Sequence, residues 1–408
     1  MSPRVYKFAL LTCLYIAQGL PFGFFMQSLP VLLRNRGMSL EVIGFSTILV
    51  LPWAFKFLWA PVLDKWGKRR TWILVNNLAA VALLLLLASF SLERLVSEQI
   101  TVLFAGFFIL NLFSATQDIA TDGLAVNLLN ENERGFGNGI QVAGYRVGMI
   151  LGGGLLLAWF TVLGWQYSLC ILAAILLAVT IPIVMFSEVD HHREQENLGI
   201  KDFIGFIKLP HLTLWLAIVL TYKFGEHFAS AMIRPLLIDQ QWSVEQIALV
   251  LGSVGFAAGL AGALVGGLLV NRLGRYNALL SFGVIQAGAV AIWAIVPLGF
   301  NNSIVVYSLS ALEHFAGGLA TAALFTVMMD HCRRQCAGSD YTFQASIVVF
   351  MNMIAAAASG VFAARFGYGT HFVVAGFFGL LSLPLVMRYR AYLSRVQTPT
   401  VAVAFEPQ

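Results

Sequence analysis

Long apolar segments recur along the whole chain and decide what it can fold into. Runs of about 20 residues are long enough to cross a bilayer as an α-helix, and these runs lack the strict alternation of barrel strands. Of the 408 residues, 59% are hydrophobic and 11% are charged. We therefore predict an all-α membrane protein with twelve transmembrane helices in two six-helix halves. The predicted spans are 6–33, 42–63, 72–91, 101–129, 137–160, 165–186, 211–238, 244–270, 277–298, 303–329, 341–364 and 368–387.

The positive charges between the apolar runs are distributed unevenly. Assigning the loops alternately to the two membrane faces places 17 Lys and Arg on the face that holds both termini and five on the other. Because positively charged loops tend to stay in the cytoplasm, we predict that both termini are cytoplasmic. The first run is longer than a signal-peptide core, so we expect a true span rather than a cleaved leader.

A repeated loop motif divides the chain into two halves. DKWGKRR begins at Asp64, and the related NRLGRY begins 207 residues later at Asn271. An offset of about half the chain indicates an internal duplication, and parallel repeats of six helices are a known transporter pattern. The polar loop between the halves contains His191 and His192, which we interpret as part of a solvated linker rather than a metal site. The predicted divisions are a first half at 1–187, a cytoplasmic linker at 188–210, a second half at 211–390 and a cytoplasmic tail at 391–408.

Two acidic residues lie in the middle of the fourth apolar run. Asp118 and Asp122 stand four residues apart in FSATQDIATDG, so a helix presents both carboxylates on one face. A carboxylate cannot face hydrocarbon, and an acid inside the membrane indicates a functional site. Residue counts from the helix ends place Arg146 at the depth of Asp118 and Lys56 at the depth of Asp122, so we predict these two ion pairs. The alternative is that the Asp118–Arg146 pair only locks two helices together.

The second half carries a comparable set of ionisable residues. TYKFGEHF brings Lys223, Glu226 and His227 within about one helical turn, and ALEHFAGG contains Glu313 and His314. A buried carboxyl group without a cation beside it favours its protonated form, so we expect Glu226 and Glu313 to carry a co-transported proton. The two histidines are either a proton relay or hydrogen-bonded interior groups, and the sequence leaves both alternatives open.

Other residues near the middle of the spans could contact a ligand. Lys56, Arg146 and Lys223 could meet carboxylate or phenolate oxygens of a transported anion. Gln18 is a further polar candidate on the first span. Six aromatic residues could stack on a planar ring, although aromatic residues at helical spacing more often serve packing. They are Tyr15, Phe22, Phe25, Tyr145, Tyr222 and Phe224.

The first copy of the loop motif resembles a family signature. APVLDKWGKRR resembles the G-x-x-x-D-R-x-G-R-R signature of the major facilitator superfamily, with Ala60 in place of the usual Gly. The second copy is weaker, because Asn271 stands where the acid would be. The resemblance implies a gating loop in which Asp64 makes charge-assisted bonds that hold one conformation closed. The alternative is that the loop charges only set the topology. The implied gating residues are Asp64, Gly67, Lys68 and Arg69.

Several longer segments narrow the resemblance to one branch of that superfamily. GLPFGF, KFLWAPVLDKWGKRR, SATQDIATDG and ERGFGNGIQVAGYRVGM look like the AmpG-like branch, which contains muropeptide permeases, acetyl-CoA transporters and RhtX/FptX siderophore permeases. Muropeptide permeases are often longer, and TVMMDHCRR and AGSDYTFQAS look closest to the siderophore permeases. The resemblance implies a secondary active transporter of the bacterial inner membrane that imports a ferric siderophore together with a proton. A muropeptide, an anhydro-sugar and acetyl-CoA are the alternative substrates.

An enzymatic function is the alternative from another class. Glu313 and His314 could serve a membrane-embedded acyltransferase as acid and base, but no nucleophile accompanies them. The chain lacks the G-x-x-x-x-G-K-[ST] motif, so we expect no ATP hydrolysis. We therefore expect a monomeric transporter rather than an enzyme, with a small-molecule substrate, a proton and the lipid bilayer as its partners. We expect no cofactor, no bound metal and no nucleic-acid partner.

Overall fold

The computed structural model describes residues 3–29, 32, 33, 36, 38, 49–188 and 212–397, and within these residues the chain is helical with no strand. The predicted linker from 189 onwards and the tail beyond 397 lie outside them. The all-α prediction is confirmed. The helices are α1 (Pro3–Gly23), α2 (Leu51–Phe55), α3 (Ala60–Lys65), α4 (Arg69–Ala88), α5 (Leu92–Ser97), α6 (Ile100–Leu128), α7 (Glu131–Met149), α8 (Leu156–Met185), α9 (Leu212–Tyr222), α10 (Phe224–Asp239), α11 (Val244–Ile247), α12 (Gly255–Leu273), α13 (Arg275–Ala291), α14 (Ser303–Asp330), α15 (Ala337–Leu380) and α16 (Ser382–Gln397).

Short segments with other helical geometry extend or join several of these helices. The π-helical segments are Phe24–Ser28, Ile150–Leu155 and Ala248–Val254, and the 3₁₀ segments are Lys56–Leu58 and Ile292–Leu298. Two glycines break longer helices: Gly164 within α8 has φ 69°, and Gly367 within α15 has φ 77°. Both φ values lie in the left-handed region, which glycine adopts without the steric penalty of other residues. Each of these helices therefore consists of two helices that meet at a sharp bend.

Eight helical stretches among the described residues are long and apolar enough to cross a membrane. The last of them, Ala337–Arg395, has 59 residues and accounts for two predicted spans, because Gly367 divides it. Three predicted spans are not among these long apolar helices: 42–63, 137–160 and 211–238. Residues 42–48 of the first lie outside the described part of the chain. Each of these three holds one of the predicted interior cations, which are Lys56, Arg146 and Lys223. The described parts of all three segments are mainly helical.

Helix α7 begins six residues earlier than predicted, and a capping box explains the difference. The backbone N–H of Asn130 donates to Oε2 of Glu133 at 3.2 Å, and the Asn130 side chain caps the first turn in return. Lys7 Nζ also donates to this carboxylate, at 2.6 Å. Burial acts to raise the pKa of Glu133, but the hydrogen bonds from Lys7 and Asn130 outweigh it and lower the pKa from its ordinary value. Every later residue of α7 therefore lies further along the helix than the sequence count assumed.

Glycine contacts hold α7 between the two halves. A Cβ atom added at Gly19 of α1 would collide with the carbonyl oxygen of Tyr145, so the backbones of α1 and α7 touch. On the other side of α7, Gly135 packs directly against the carbonyl oxygen of Gly267 in α12. Because α1 belongs to the first half and α12 to the second, α7 is an element through which side chains of the first half reach the second.

Candidate functional site

An ion pair between Lys56 and Asp118 lies in the interior of the first half. The two side chains are in direct contact, and the residues are only 4% and 6% exposed. The predicted pairing of Lys56 with Asp122 is therefore wrong. That prediction assumed an α-helical rise of about 1.5 Å per residue. Lys56 instead begins a 3₁₀ segment that is followed by a break before α3, so the residues between Lys56 and Leu63 do not form one α-helix and the count did not fix its depth.

Asp122 has no cation in contact with it among the described residues. It lies one turn after Asp118 on α6 and is 2% exposed. Its Oδ1 accepts a hydrogen bond from the Tyr15 hydroxyl at 3.3 Å and another from Nε2 of Gln141 at 3.2 Å. Gln141 Nε2 also lies 3.2 Å from the hydroxyl of Tyr341 on α15. A chain of neutral hydrogen bonds thus joins Asp122 to a helix of the second half.

Arg146 points away from Asp118 and towards the second half. The predicted Asp118–Arg146 ion pair is wrong, because no such contact exists between these two described residues. Arg146 lies 15 residues into α7, about 22 Å along its axis, whereas Asp118 lies 10 residues, about 15 Å, from the end of α6. The guanidinium carbon stands 5.6 Å from the centroid of the Phe256 ring. The guanidinium also packs directly against Gly259 of α12.

A second interior ion pair lies in the second half, between Lys223 and Glu226. Lys223 occupies the break between α9 and α10, and its ammonium group contacts the Glu226 carboxylate directly. The Lys223 ammonium also donates to the carbonyl oxygen of Gly317 at 3.3 Å and to the Thr321 hydroxyl at 3.0 Å. Gln286 Nε2 donates a hydrogen bond to the carboxylate of Glu226. The structure therefore brings these two predicted residues together and surrounds them with polar partners.

Glu313 and His314 form a further cluster beside this pair. Nδ1 of His314 lies 2.6 Å from Oε2 of Glu313 and 3.0 Å from the carbonyl oxygen of Ser310. The Ser230 hydroxyl donates to Oε1 of Glu313 at 2.9 Å. His227 is partly buried, and its ring makes no hydrogen bond to any described residue. Among the described residues, no three His, Cys, Asp or Glu side chains lie close enough to hold a metal ion.

Two of the predicted aromatic residues form a cluster with a tryptophan that was not predicted. Phe22 packs against Trp53 with ring centroids 5.4 Å apart, and against Tyr145 at 5.7 Å. Lys56 Nζ lies 5.7 Å from the Trp53 ring, so the cluster adjoins the Lys56–Asp118 pair. Gln18, one turn before Phe22 on α1, is 2% exposed, and its buried Nε2 has no hydrogen-bond partner.

The other predicted aromatic residues are packed within the helix bundle. Phe25 is 2% exposed and belongs to the hydrophobic core of the first half. Tyr222 donates from its hydroxyl to the carbonyl oxygen of Leu279 at 2.8 Å. Phe224 stacks on Phe228 with centroids 6.0 Å apart. These three side chains therefore make their packing contacts and hydrogen bonds with other residues of the protein.

The first loop motif lies against the second half. Asp64 is 4% exposed and accepts a hydrogen bond from the Arg69 guanidinium at 2.9 Å. It also accepts from the backbone N–H groups of Gly338 at 3.2 Å and Ser339 at 2.6 Å, and from the Ser339 hydroxyl at 2.6 Å. Gly338 and Ser339 stand in the first turn of α15, where a negative charge is favourable. The Asp64 carboxylate therefore binds the two halves together.

The second loop motif contacts the first half in an equivalent position. Asn271 Nδ2 donates to the carbonyl oxygen of Asn132 in the first turn of α7, at 2.6 Å. The offset of 207 residues that relates Asp64 to Asn271 also relates Asn132 to Ser339. Gly67 and Gly274 occupy the same position in the two loops, and both have φ 81°. The duplication is thus preserved in the contacts and in the backbone of the turns.

An acid outside the loop supplies the charge that Asn271 lacks. Asp330, at the end of α14, accepts hydrogen bonds from Arg275 and from Arg134, each at 2.8 Å. Arg134 belongs to the first half, so this network also crosses between the halves. Lys68 is the residue that precedes α4 and is partly buried beside the first loop.

Several residues of these clusters were not predicted from the sequence. Asp330 and Tyr341 lie in TVMMDHCRR and AGSDYTFQAS, segments that served only as family resemblance. Ser339 is related to Asn132 by the 207-residue offset, but the offset identifies it as the partner of Asp64 only once the Asn271–Asn132 contact is known. Trp53 and Gln141 carry no local signal, because their roles depend on neighbours from other helices.

Two halves that meet across charged interior residues and close against each other at one end are an arrangement found in secondary transporters. The chain belongs to the Major Facilitator Superfamily, whose family profile matches residues 11–349. It is therefore a multi-pass membrane transporter and not an enzyme. The structure of the human organic anion transporter MFSD10 superposes with a TM-score of 0.77 at 15% identity, covering 95% of this chain and all of that one. The Escherichia coli fucose:proton symporter FucP superposes with a TM-score of 0.70 at 14% identity, covering 94% and 98%.

Curated relatives from bacteria place the chain among AmpG-like transporters. The anhydromuropeptide permease of Escherichia coli strain K12 is 30% identical over 410 residues, covering 95% of this chain and 81% of the permease. An uncharacterized protein of Haemophilus influenzae is also 30% identical, with coverages of 91% and 92%. The putative transporter AmpG 4 of Rickettsia conorii is 26% identical, with coverages of 90% and 92%. The predicted resemblance to the AmpG-like branch is confirmed.

The prediction of a ferric siderophore as the substrate is wrong. The curated relatives named for a transported molecule are anhydromuropeptide permeases, and siderophore transport has no support among them. The permease of Escherichia coli is longer than the aligned region, which covers 81% of it, but the similarity extends over 95% of this chain. A shorter chain is therefore compatible with similarity to a muropeptide permease. The muropeptide alternative fits the relatives better.

Proposed function

We propose that this chain imports an anhydromuropeptide across the bacterial cytoplasmic membrane, together with a proton. The substrate class is supported by a similarity that extends over nearly the whole chain to a permease named for it. Proton coupling is supported by one observation in the structure, the burial of Asp122 beside neutral hydrogen-bond donors. The cytoplasmic position of both termini, predicted from the loop charges, makes the end closed by Asp64 the cytoplasmic end.

Asp122 is suited to carry the proton because its ionised form would be poorly compensated. It is 2% exposed and accepts hydrogen bonds from Tyr15 and Gln141, which are both neutral. The charged groups nearest to it are Asp118, which repels a second negative charge, and Lys56, which already contacts Asp118. A carboxyl group in such surroundings favours its protonated form. Opening of the cytoplasmic end would admit water and let the proton leave.

The hydrogen-bond chain from Asp122 offers a route from proton to conformation. Gln141 links Asp122 to Tyr341, and Tyr341 stands one turn into α15, whose start is held by Asp64. Loss of the proton from Asp122 would leave a buried negative charge next to Gln141 and Tyr341. This charge would disfavour the arrangement in which the cytoplasmic end is closed. Protonation would therefore favour closure of the cytoplasmic end, and deprotonation would favour its opening and release of substrate.

The acids of the second half have different surroundings. Glu226 contacts Lys223, and Glu313 contacts His314 and Ser230. Glu226 and Glu313 remain candidates for a further proton, but a cation or a titratable neighbour already compensates each of them. We assign the main coupling role to Asp122. The cluster of Phe22, Trp53 and Tyr145 is suited to pack against the apolar face of a sugar ring.

Transport by purified protein in liposomes tests the proposal. Wild-type protein should accumulate a radiolabelled anhydromuropeptide when the pH gradient drives protons in the direction of uptake, and a protonophore should abolish accumulation. Asp122→Asn should retain exchange of labelled for unlabelled substrate while losing accumulation. Asp239→Asn is the matched control, because Asp239 is an exposed aspartate at the end of α10. Accumulation by Asp122→Asn at the wild-type level would refute the role of Asp122, and absence of uptake by wild-type protein would refute the substrate.

A further inference from the structure

We propose that Arg146 forms a binding site for a carboxylate group of the transported ligand, at the contact between the two halves. The inference rests on the proposed function, since an anhydromuropeptide carries free carboxylates on its peptide. It adds the residue that recognises the peptide and distinguishes that part of the ligand from the sugar.

The interior cations differ in whether their charge is already compensated. Lys56 contacts Asp118, and Lys223 contacts Glu226. Arg146 makes no ion pair and no hydrogen bond with any described residue, and its guanidinium lies near the Phe256 ring. A partly buried guanidinium without a counter-ion is unfavourable inside a membrane. An anion delivered by the ligand would compensate it.

The acids closest to Arg146 are engaged elsewhere. The acids near its guanidinium are Glu226 and Glu313. Glu226 is in contact with Lys223 and Gln286, and Glu313 with Ser230 and His314. These carboxylates therefore do not use the donors of Arg146, and the partners beside them reduce their repulsion of a ligand carboxylate.

The surface of α12 is shaped to receive the guanidinium. A Cβ atom at Gly259 would collide with the guanidinium of Arg146, and one at Gly255, a turn earlier, would collide with the His314 imidazole. The missing side chains thus make room for both groups on one face of α12. Phe256 lies near the guanidinium, with the ring centroid 5.6 Å from its carbon, and leaves the N–H donors at its edge uncommitted. An uncommitted guanidinium edge matches a carboxylate in bidentate geometry.

The position of Arg146 would let the ligand act on both halves at once. Arg146 belongs to α7, while Gly259 and Phe256 belong to α12. A carboxylate held by Arg146 would sit where these two helices meet, so its binding would depend on their relative position. The affinity of Arg146 for the ligand would therefore change when the second half moves relative to the first.

Binding of paired ligands to purified protein tests the site. One ligand is a radiolabelled anhydromuropeptide, and the other is the same compound with its carboxylates converted to amides. Wild-type protein should bind the acid form at least about tenfold more tightly, the preference expected of a hydrogen bond to a charged group. Arg146→Gln should bind both forms about equally, with the affinity for the amide form unchanged. Arg365→Gln should keep the wild-type preference, because Arg365 also lies near a phenylalanine ring but is exposed.

A second variant keeps the Arg146 guanidinium and fills the space beside Gly259 in which it lies. Gly259→Ala should lower the affinity for the acid form with little effect on the amide form, whereas Gly288→Ala, which meets no atom within 4 Å, should change neither. Retention of the wild-type preference by Arg146→Gln would overturn the inference, and so would an equal loss of both ligands in a variant with a wild-type melting temperature. Wild-type protein that binds neither ligand would overturn the proposed substrate and this inference together.

Discussion

Replacement of Asp64 by Asn is expected to weaken the closed end of the transporter. The Asp64 carboxylate accepts four hydrogen bonds, one from the buried Arg69 and three from the first turn of α15. An asparagine keeps one acceptor oxygen and presents an NH₂ group to the donors that faced the other. Hydrogen bonds to a charged group contribute about 1.5–3 kcal/mol each, so the loss of one or two gives roughly 3 kcal/mol against closure. The ratio of open to closed molecules should then rise on the order of 100-fold.

The thiol of Cys336 reports this opening. Cys336 immediately precedes α15, three residues before Ser339, and is 6% exposed in the closed arrangement. In protein whose other cysteines are replaced by serine, Cys336 should react slowly with a maleimide in detergent solution. Asp64→Asn in the same background should react faster, by about 100-fold where opening and closing are fast compared with the maleimide reaction. The replaced residues are Cys13, Cys170 and Cys332.

The maleimide reaction of Cys336 is compared with that of a control variant. Asp239→Asn removes an exposed aspartate that accepts a hydrogen bond from Tyr368, far from the loop motifs, and should leave the reaction rate unchanged. An unchanged rate in folded Asp64→Asn protein would show that the Asp64 contacts do not hold the closed end. An equal increase in both variants would assign the effect to general destabilisation.

Two further predictions concern stability. Lys56→Met should lower the apparent melting temperature strongly, because breaking a buried ion pair costs about 3–5 kcal/mol, and addition of Asp118→Asn should restore most of it. If the double variant is no more stable than Lys56→Met, the ion pair does not explain the loss. Gly274→Ala should destabilise by about 1–2 kcal/mol, since its φ of 81° is unfavourable for alanine. Gly288→Ala on helix α13 should be neutral or slightly stabilising in the same thermal assay, and an equal loss in both would contradict the backbone argument.

The segments of the chain could be predicted from its hydropathy, but the pairing of charges could not. Two features that hydropathy does not report changed the relative depth of the interior residues. The capping box at Asn130 starts α7 early and moves Arg146 further along the helix. The 3₁₀ segment at Lys56 and the break that follows it interrupt the α-helical count, and the lysine contacts Asp118. Depth also says nothing about rotation around a helix axis, and the rotation of α7 directs Arg146 to the second half.

The contacts between the halves were partly available in the sequence. The 207-residue offset predicted that the loops at Asp64 and Asn271 are equivalent. It did not by itself identify Ser339 and Asn132 as their partners, because these contacts depend on how the two halves face each other. The substrate was predicted wrongly for a different reason. Chain length and short segment matches do not report which ligand groups the interior recognises.

The two loop contacts derive from one duplication but hold the halves with unequal strength. Asp64 is an anion that accepts bonds from backbone amides and from Arg69, whereas Asn271 is neutral and donates to a carbonyl oxygen. Hydrogen bonds between neutral groups contribute about 0.5–1.5 kcal/mol, roughly half of what a charged partner gives. In the second half the negative charge resides on Asp330, which is partly exposed to solvent that screens its bonds. Opening of this end therefore depends mainly on release of the buried Asp64 contact, which is why a change at Asp64 should exceed the effect of the same kind of change at Asn271.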